Sequence, residues 1–361
     1  MKKMLMLAFF LFTTYSAFAQ ESVKISGYIF GDYANKIGGS TSALAVSKTQ
    51  YSAWNKADQQ FQFRRLYLST DYNINENFAT QLLIEANDGT YSIGNASTTA
   101  TPSAGPFKSG FFVKRAFLEW KNLVPMASLY FGLISTPTFD QTSEKEWNYR
   151  SVEKTIADAR GLAPSSDMGI GIRGKLDGTG MFSYNVMVAN GAGQSPETDK
   201  YKRVYGSFTV RPIKDLTLDI YGDYTDAANQ KLISTSKVFG AYKLSDVHLG
   251  AEYVMQHQGN SYASGGFNHD KNVQGFSAFA WTPIVKELNI FGRFDTYNPD
   301  ADNTISGAKE TFMTFGLDFM PDAKVHIIPN IWINSFKDKS AASISKDADV
   351  VARLTFHFIF K

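Results

Sequence analysis

The chain has 361 residues, no cysteine and a formal net charge of +2. The length suits either two soluble domains or one long β-structure. The near-neutral charge gives no electrostatic reason to expect nucleic acid as a partner. Aromatic residues are abundant, with 29 Phe and 18 Tyr, and the absence of cysteine excludes a disulfide framework without fixing the compartment.

The chain begins like an exported protein. Lys2 and Lys3 form a charged start, Leu5 to Phe12 is an apolar run too short to span a membrane, and Ala17-Phe18-Ala19 offers small residues at a cleavage position before Gln20. Residues 1–19 are therefore expected to be a signal peptide cut between Ala19 and Gln20. Export through the Sec pathway would follow, leaving 20–361 as the mature chain. Its loss removes both lysines and leaves that chain formally neutral.

Beyond it no apolar run approaches the length of a membrane helix. Instead, segments of about ten residues alternate in polarity, the period of a strand. In chain order they are Val23–Tyr33, Gln60–Tyr72, Asn77–Asn87, Phe111–Lys121, Ala127–Ser135, Asp167–Asp177, Gly180–Asn190 and Tyr201–Pro212. Then come Asp215–Asp226, Ser236–Leu244, Val247–His257, Lys271–Thr282, Lys286–Asn298, Lys309–Met320, Ala323–Asn334 and Ala348–Phe360. Two have defects. The face changes near Arg64, where a bulge repairs the register, and Pro329 interrupts its strand, which also suggests a bulge. In Lys271–Thr282 the sequence does not distinguish the outer face.

The connections alternate between tight and long. Asn73 to Glu76, Asn122 to Met126, Gly178-Thr179, Ile213-Lys214, Ser245-Asp246, Pro283 to Val285 and Pro321-Asp322 carry turn chemistry. Between them lie long connections such as Ala34 to Gln59, Asp88 to Gly110, Thr136 to Ser166 and Gln258 to Asp270. An even number of strands, tight turns at one end and long loops at the other predict an all-β fold. It is a 16-stranded antiparallel transmembrane β-barrel in an outer membrane, closed so that no strand edge meets lipid. The last segment fits. Phe356, Phe358 and Phe360 share one face and Arg353 and His357 the other, so the strand should close the barrel with its phenylalanines outward. Trp120 and Trp281 are expected on the outer surface in an aromatic girdle.

Several stretches resemble the phosphate-selective porin O/P family. They are QFRRLYLSTDYNINENFATQLLIEAND, KRAFLEWKN, LYFGLISTPTFDQ, WNYRSVEKTIADARGLAPSSDMGIGIRG, GLDFMPDAKVHIIPNIWIN and DVVARLTFHFIF. The resemblance covers most of the mature chain. It implies a Gram-negative outer-membrane channel, a homotrimer, inserted by the outer-membrane assembly machinery and passing small hydrophilic solutes or inorganic ions without a cofactor. Related chains often carry a lysine after the Gly-x-Phe of the fifth strand. Here the stretch is Gly132-Leu133-Ile134-Ser135 and the basic ladder is thin, so phosphate selectivity does not carry over.

The 136–166 connection is the longest and the one with a helical pattern. Ser143 to Glu146 reads as a capping box, Glu146 and Arg150 suit an i,i+4 pair, Trp147, Tyr149 and Ile156 supply apolar contacts, and Gly161 is a stop. In porins this loop folds inward. The constriction candidates are therefore Arg150, Glu153, Lys154, Asp158 and Arg160; a solvated external helix is the alternative.

Alternation places Arg65, Arg115, Lys121, Arg173, Lys175, Arg203, Arg211, Lys237, Lys243, Arg293 and Arg353 on the lumen face. Asp71, Glu119, Asp177, Asp219, Asp223, Glu252, Asp295 and Asp318 share that face. The basic excess is small, so anion preference is weak at most, and mutual pairing of these charges across strands is the competing reading. A solute-specific channel for phosphate or another anion is the second functional reading.

The remaining motifs are weaker. Gly169 to Gly174 matches G-x-G-x-x-G but sits inside a strand without the following helix. Asp300 to Asn303 clusters oxygen ligands but lacks the spacing of a calcium loop. Ser183 and Ser207 have no identifiable histidine partner, so an outer-membrane enzyme is a minor alternative. A secreted soluble β-protein such as an adhesin is a third class, which would leave the terminal phenylalanines exposed.

Overall fold

A computed structural model describes residues 23–39, 51, 54–87, 110–226, 232–264, 267–302, 308–337 and 347–361. The expected signal peptide with Ala19 and Gln20, residues 88–109 and Asn303 lie outside the described residues.

Among the described residues the strands are β1 (Lys24–Gly38), β2 (Gln59–Asn73), β3 (Phe78–Asn87), β4 (Gly110–Val124), β5 (Ala127–Ser135), β6 (Ser166–Lys175), β7 (Phe182–Ala189) and β8 (Arg203–Val210). They continue with β9 (Leu216–Thr225), β10 (Ile233–Leu244), β11 (Val247–Ser264), β12 (Phe267–Val285), β13 (Leu288–Asn298), β14 (Lys309–Asp322), β15 (Val325–Lys337) and β16 (Asp349–Phe360). Each pairs with its sequence neighbours, and β16 returns to β1, so sixteen strands form a closed antiparallel barrel. No described helix is long and apolar enough to cross a membrane.

The alternation sorts side chains as the sequence predicts. On β9, Leu218, Ile220 and Tyr224 are exposed outside, while Asp219, Tyr221 and Asp223 are buried inside. Left-handed residues at Met126, Asp215 and Ser245 close tight turns. At the seam Gly27 faces Phe360 and Gly31 faces Phe356. Leu354, Phe356 and Phe358 point outward.

Five expectations are corrected. The tight turns expected at Pro283 to Val285 and at Pro321-Asp322 are strand, and the chain reverses at Lys286-Glu287 and at Ala323-Lys324. Most of the long loop expected at Gln258 to Asp270 is ladder. Pairing resumes at Tyr262 and His269 after an irregularity and runs to Ser264 and Phe267. Around Pro329 no residue is inserted, because Gly316 pairs with Asn330 and Phe319 with Ile327, three residues on in each strand. Register with β16 is also continuous through Pro329. Asp177 is not on the lumen wall. Its carboxylate accepts backbone N–H bonds from Thr179 (2.8 Å) and Phe182 (2.8 Å) and so closes the turn after β6.

The bulge at Arg64 is present. Phe30 pairs with Arg65 and Gly31 with Phe63, leaving Arg64 as the extra residue. A second, unforeseen bulge inserts Lys114, because Leu83 pairs with Arg115 and Ile84 with Val113. Gly169 to Gly174 lies within β6, paired on both sides.

Candidate functional site

The inner faces of β10 to β15 carry Phe239, Phe279, Phe291 and Ile328. Such a surface is wrong for a water-filled tube and needs an apolar cover. The segment between β5 and β6 supplies one. It holds two short helices, α1 (Ser143–Trp147) and α2 (Ile156–Ala159). Trp147, Tyr149 and Val152 bury themselves on that aromatic wall, and Ile156 packs with Leu162, Val254 and Val273. Gly275 makes room, since a Cβ there would lie 2.9 Å from Ile156 Cδ1.

Backbone carbonyls fasten the loop further. Ser151 O accepts from Arg64 (2.9 Å), Val152 O from Arg353 (2.9 Å) and Lys154 O from Arg293 (2.5 Å). Trp281 donates to Glu146 O (3.0 Å) and Lys237 to Thr138 O. The loop therefore reaches β2, β10, β12, β13 and β16 and lies inside the barrel. Trp281 accordingly faces inward, stacked on His248, and is not part of an outer girdle. Trp120 does face outward.

The helical detail differs from expectation. No capping box forms, because Thr142 precedes the helix and makes no side-chain cap bond. A left-handed Asn148 ends α1 at Trp147, so Glu146 and Arg150 are not one turn apart on a helix. Arg150 instead pairs with Glu144 (3.0 Å) and Asp158 (3.3 Å). Gly161, with φ +63°, does follow the end of α2.

With the loop docked on β10 to β15, open space remains against the opposite wall. A cavity of about 620 Å³ at the tight-turn end is lined by Tyr28, Tyr67, Tyr130, Lys114, Arg115, Arg150, Arg173, Asp140 and Glu144, among others. Beside it, Phe30, Arg64, Arg65, Arg150 and Lys154 crowd together into a narrowing that leaves no room for a water molecule. A smaller space of about 290 Å³ lies beside Arg173, Lys175 and Arg211.

The five loop candidates divide. Arg150, Lys154 and Asp158 come together at the narrowing, with Lys154 and Asp158 3.3 Å apart. Glu153 points the other way and accepts a bond from Trp332 (2.8 Å). Arg160 pairs with Glu310 (2.8 Å) and lies over the Tyr297 ring. These last two tie the loop to the wall and do not meet the open space. Burial pushes the Lys154 ammonium down to about 8, with Asp158 opposing and Arg65 and Arg150 adding to the shift. Burial alone would raise the Asp158 carboxyl, but Lys154 and Arg150 outweigh it and hold it well below the usual carboxylate range. Burial raises the Glu144 carboxyl against the pull of Arg150.

The wall candidates divide too. Arg115 and Arg173 border the open space, Arg65 lies at the narrowing, and Lys121 and Lys175 sit at the tight-turn rim. Arg203 pairs with Asp223 (2.8 Å), Arg293 with Asp295 (2.6 Å) and Lys237 lies between Asp219 and Glu252, while Arg353 bonds Asn330 and the loop. Alternation missed Lys36, Arg64 and Lys114, together with Asp32, Glu85, Glu310 and Asp349, all buried. Lys36 pairs with Asp349 (2.7 Å) and donates to Tyr51 O and Trp54 O, drawing part of the expected first external loop onto the inner wall. Asp300 is buried, Asp302 accepts a bond from Asn272, and no group of His, Asp or Glu suited to a metal occurs among the described residues.

No family model matches the chain, and no curated protein does. Solved structures do match. The outer-membrane channel DcaP of Acinetobacter baumannii superposes with a TM-score of 0.66 at 10% identity, over 94% of this chain and 97% of that one. An anion-selective porin from Comamonas acidovorans gives 0.60 at 13% identity, over 94% and 99%. OmpT of Vibrio cholerae, described as outer-membrane expressed, gives 0.60 at 11% identity, over 94% and 97%. At such identities the likeness is one of fold. The chain has the barrel of the outer-membrane porins.

Proposed function

We propose that the chain is an outer-membrane porin, a water-filled channel through which small hydrophilic solutes and ions diffuse passively, with weak anion preference at most. The observation that carries this reading is the lumen. One side of the barrel interior is closed by an apolar-backed loop, and the other is an open space lined by tyrosines and by charges of both signs. Hydrated walls of mixed charge suit passage of water and ions, while the exposed Val, Leu, Ile and Phe outside suit lipid. The reading assigns no catalytic role and no cofactor.

Membership of the phosphate-selective porin O/P family rests on the quoted stretches. Signal-directed Sec export rests on residues 1–19, and insertion by the assembly machinery on the terminal phenylalanines. The homotrimer rests on the porin fold, of which OmpT is one example solved in a trimer form. A solute-specific channel for phosphate or another anion is the second reading, favoured by the convergence of Arg64, Arg65, Arg150 and Lys154 at the narrowing.

Planar-bilayer recording of the purified chain tests both. Open channels whose current rises linearly with salt support free diffusion; saturable block by one anion class supports the second reading; no conductance refutes both. Deleting residues 143–159 should raise the single-channel conductance.

A further inference from the structure

β3 enters the wall between two strands that each carry a basic pair at a bulge. At a bulge two residues oppose one and a side chain is re-aimed. Arg64 and Arg65 both turn inward on β2, and Lys114 and Arg115 both turn inward on β4. Glu85, the one acidic residue of β3, lies between them. Its Oε1 is 3.2 Å from Arg65 Nε and its Oε2 is 3.2 Å from Lys114 Nζ. The neighbouring cations have carboxylates elsewhere: Arg64 meets Asp32, Arg115 meets Asp140, and Arg150 and Lys154 meet Asp158.

Building on the porin reading, we propose that Glu85 is a specificity-determining residue of the channel. It balances Lys114, which lines the open cavity, and Arg65 behind it, so that ions of both signs pass that cavity, and without it the channel selects small anions. A fixed charge beside a narrow passage with low-dielectric walls concentrates ions of opposite sign. With Glu85 ionised, the guanidinium and ammonium aim donors at its two oxygens. With a neutral amide in its place, both cations keep their charge and present it to a passing anion.

Reversal potentials in a potassium chloride gradient test this on the full chain in planar bilayers. Glu85→Gln should raise the chloride-over-potassium permeability ratio at least about threefold. Lys114→Met should lower it, and the double variant should return near the wild-type ratio. A purely structural Glu85 would not be compensated by removing Lys114. If Glu85→Gln does not fold, Lys114→Met decides alone, and an unmoved ratio overturns the proposal. Conducting variants with the wild-type ratio overturn the proposal and leave the porin reading standing. A wild-type chain that conducts nothing overturns both.

Discussion

Arg353 of the last strand donates a hydrogen bond to the carbonyl oxygen of Val152, 2.9 Å away in the lumen loop. The same guanidinium donates to Asn330 (2.9 Å) and faces Asp32 of the first strand. The seam of the barrel and the seat of the loop therefore share one side chain. Arg353→Met should leave a closed barrel that still shifts on heating in detergent gels. It should lose about 1–3 kcal/mol of stability, as expected for buried partners left unsatisfied. Its single-channel current should be larger and noisier because the loop is less firmly seated. A quiet trace of wild-type amplitude would show that Arg64 and Arg293 suffice.

Much of the barrel was legible in the sequence because each strand has one wet and one apolar face. The period of two fails where both faces are apolar. Lys271–Thr282 was undecidable because Phe279 and Trp281 meet the loop while Phe276 points outward. A sequence does not say whether an apolar face meets lipid or protein. The bulge at Arg64 was readable because the face changes inside its run. The one at Lys114 follows Phe111, Phe112 and Val113, where alternation is already lost. Without that bulge Lys114 would point out, and its pairing with Glu85 was invisible. Within the loop, Glu153 looks like Asp158 and Arg160 like Arg150 as residue types. Only the two breaks in the helix decide which of them face the open space.

In the proposed channel Lys154 should confer sensitivity to alkaline pH. Burial brings its ammonium down to about 8 from the ordinary lysine value of 10.5. Asp158 stays ionised throughout this range and the nearby Arg65 and Arg150 stay charged, so raising the pH removes one positive charge from the narrowing. Anion over cation permeability should therefore fall between about pH 7 and pH 9. Lys154→Met should abolish that titration. The sign for stability follows from the same shift. The unfolded chain holds this proton up to about pH 10.4 and the folded one releases it near 8, so this group's contribution to stability rises with pH across that interval.

Gly31 and Phe356 face each other across the seam, and a Cβ on Gly31 would lie 2.6 Å from Phe356 Cζ. Gly27 and Phe360 repeat the arrangement at 2.5 Å. Each ring covers the backbone of a glycine on the neighbouring strand, which fits the first and last strands in one register. Gly31→Val should prevent closure despite the better strand propensity of valine, because backbone as well as the ring obstructs it. Loss of the heat-shifting form would be the readout. Removing Phe356 to Lys361 should have the same effect, and a truncated chain that still shifts would show the rings to be packing alone.

Gly275 tests the seat of the loop independently of charge. It lies in the middle of β12, where glycine weakens a strand, and its missing side chain leaves the space that Ile156 fills. A Cβ would approach Ile156 Cδ1 to 2.9 Å and Val254 Cγ1 to 3.0 Å. Gly275→Val should therefore favour the strand and oppose the loop at once. The barrel is held by sixteen ladders and the loop by a handful of contacts, so the loop gives way. The expected outcome is a heat-shifting barrel of higher conductance. Combining it with Ile156→Ala should restore the wild-type current by returning volume to the same pocket. A single variant that fails to form a barrel would mean that the wall, and not the loop, bears the overpacking.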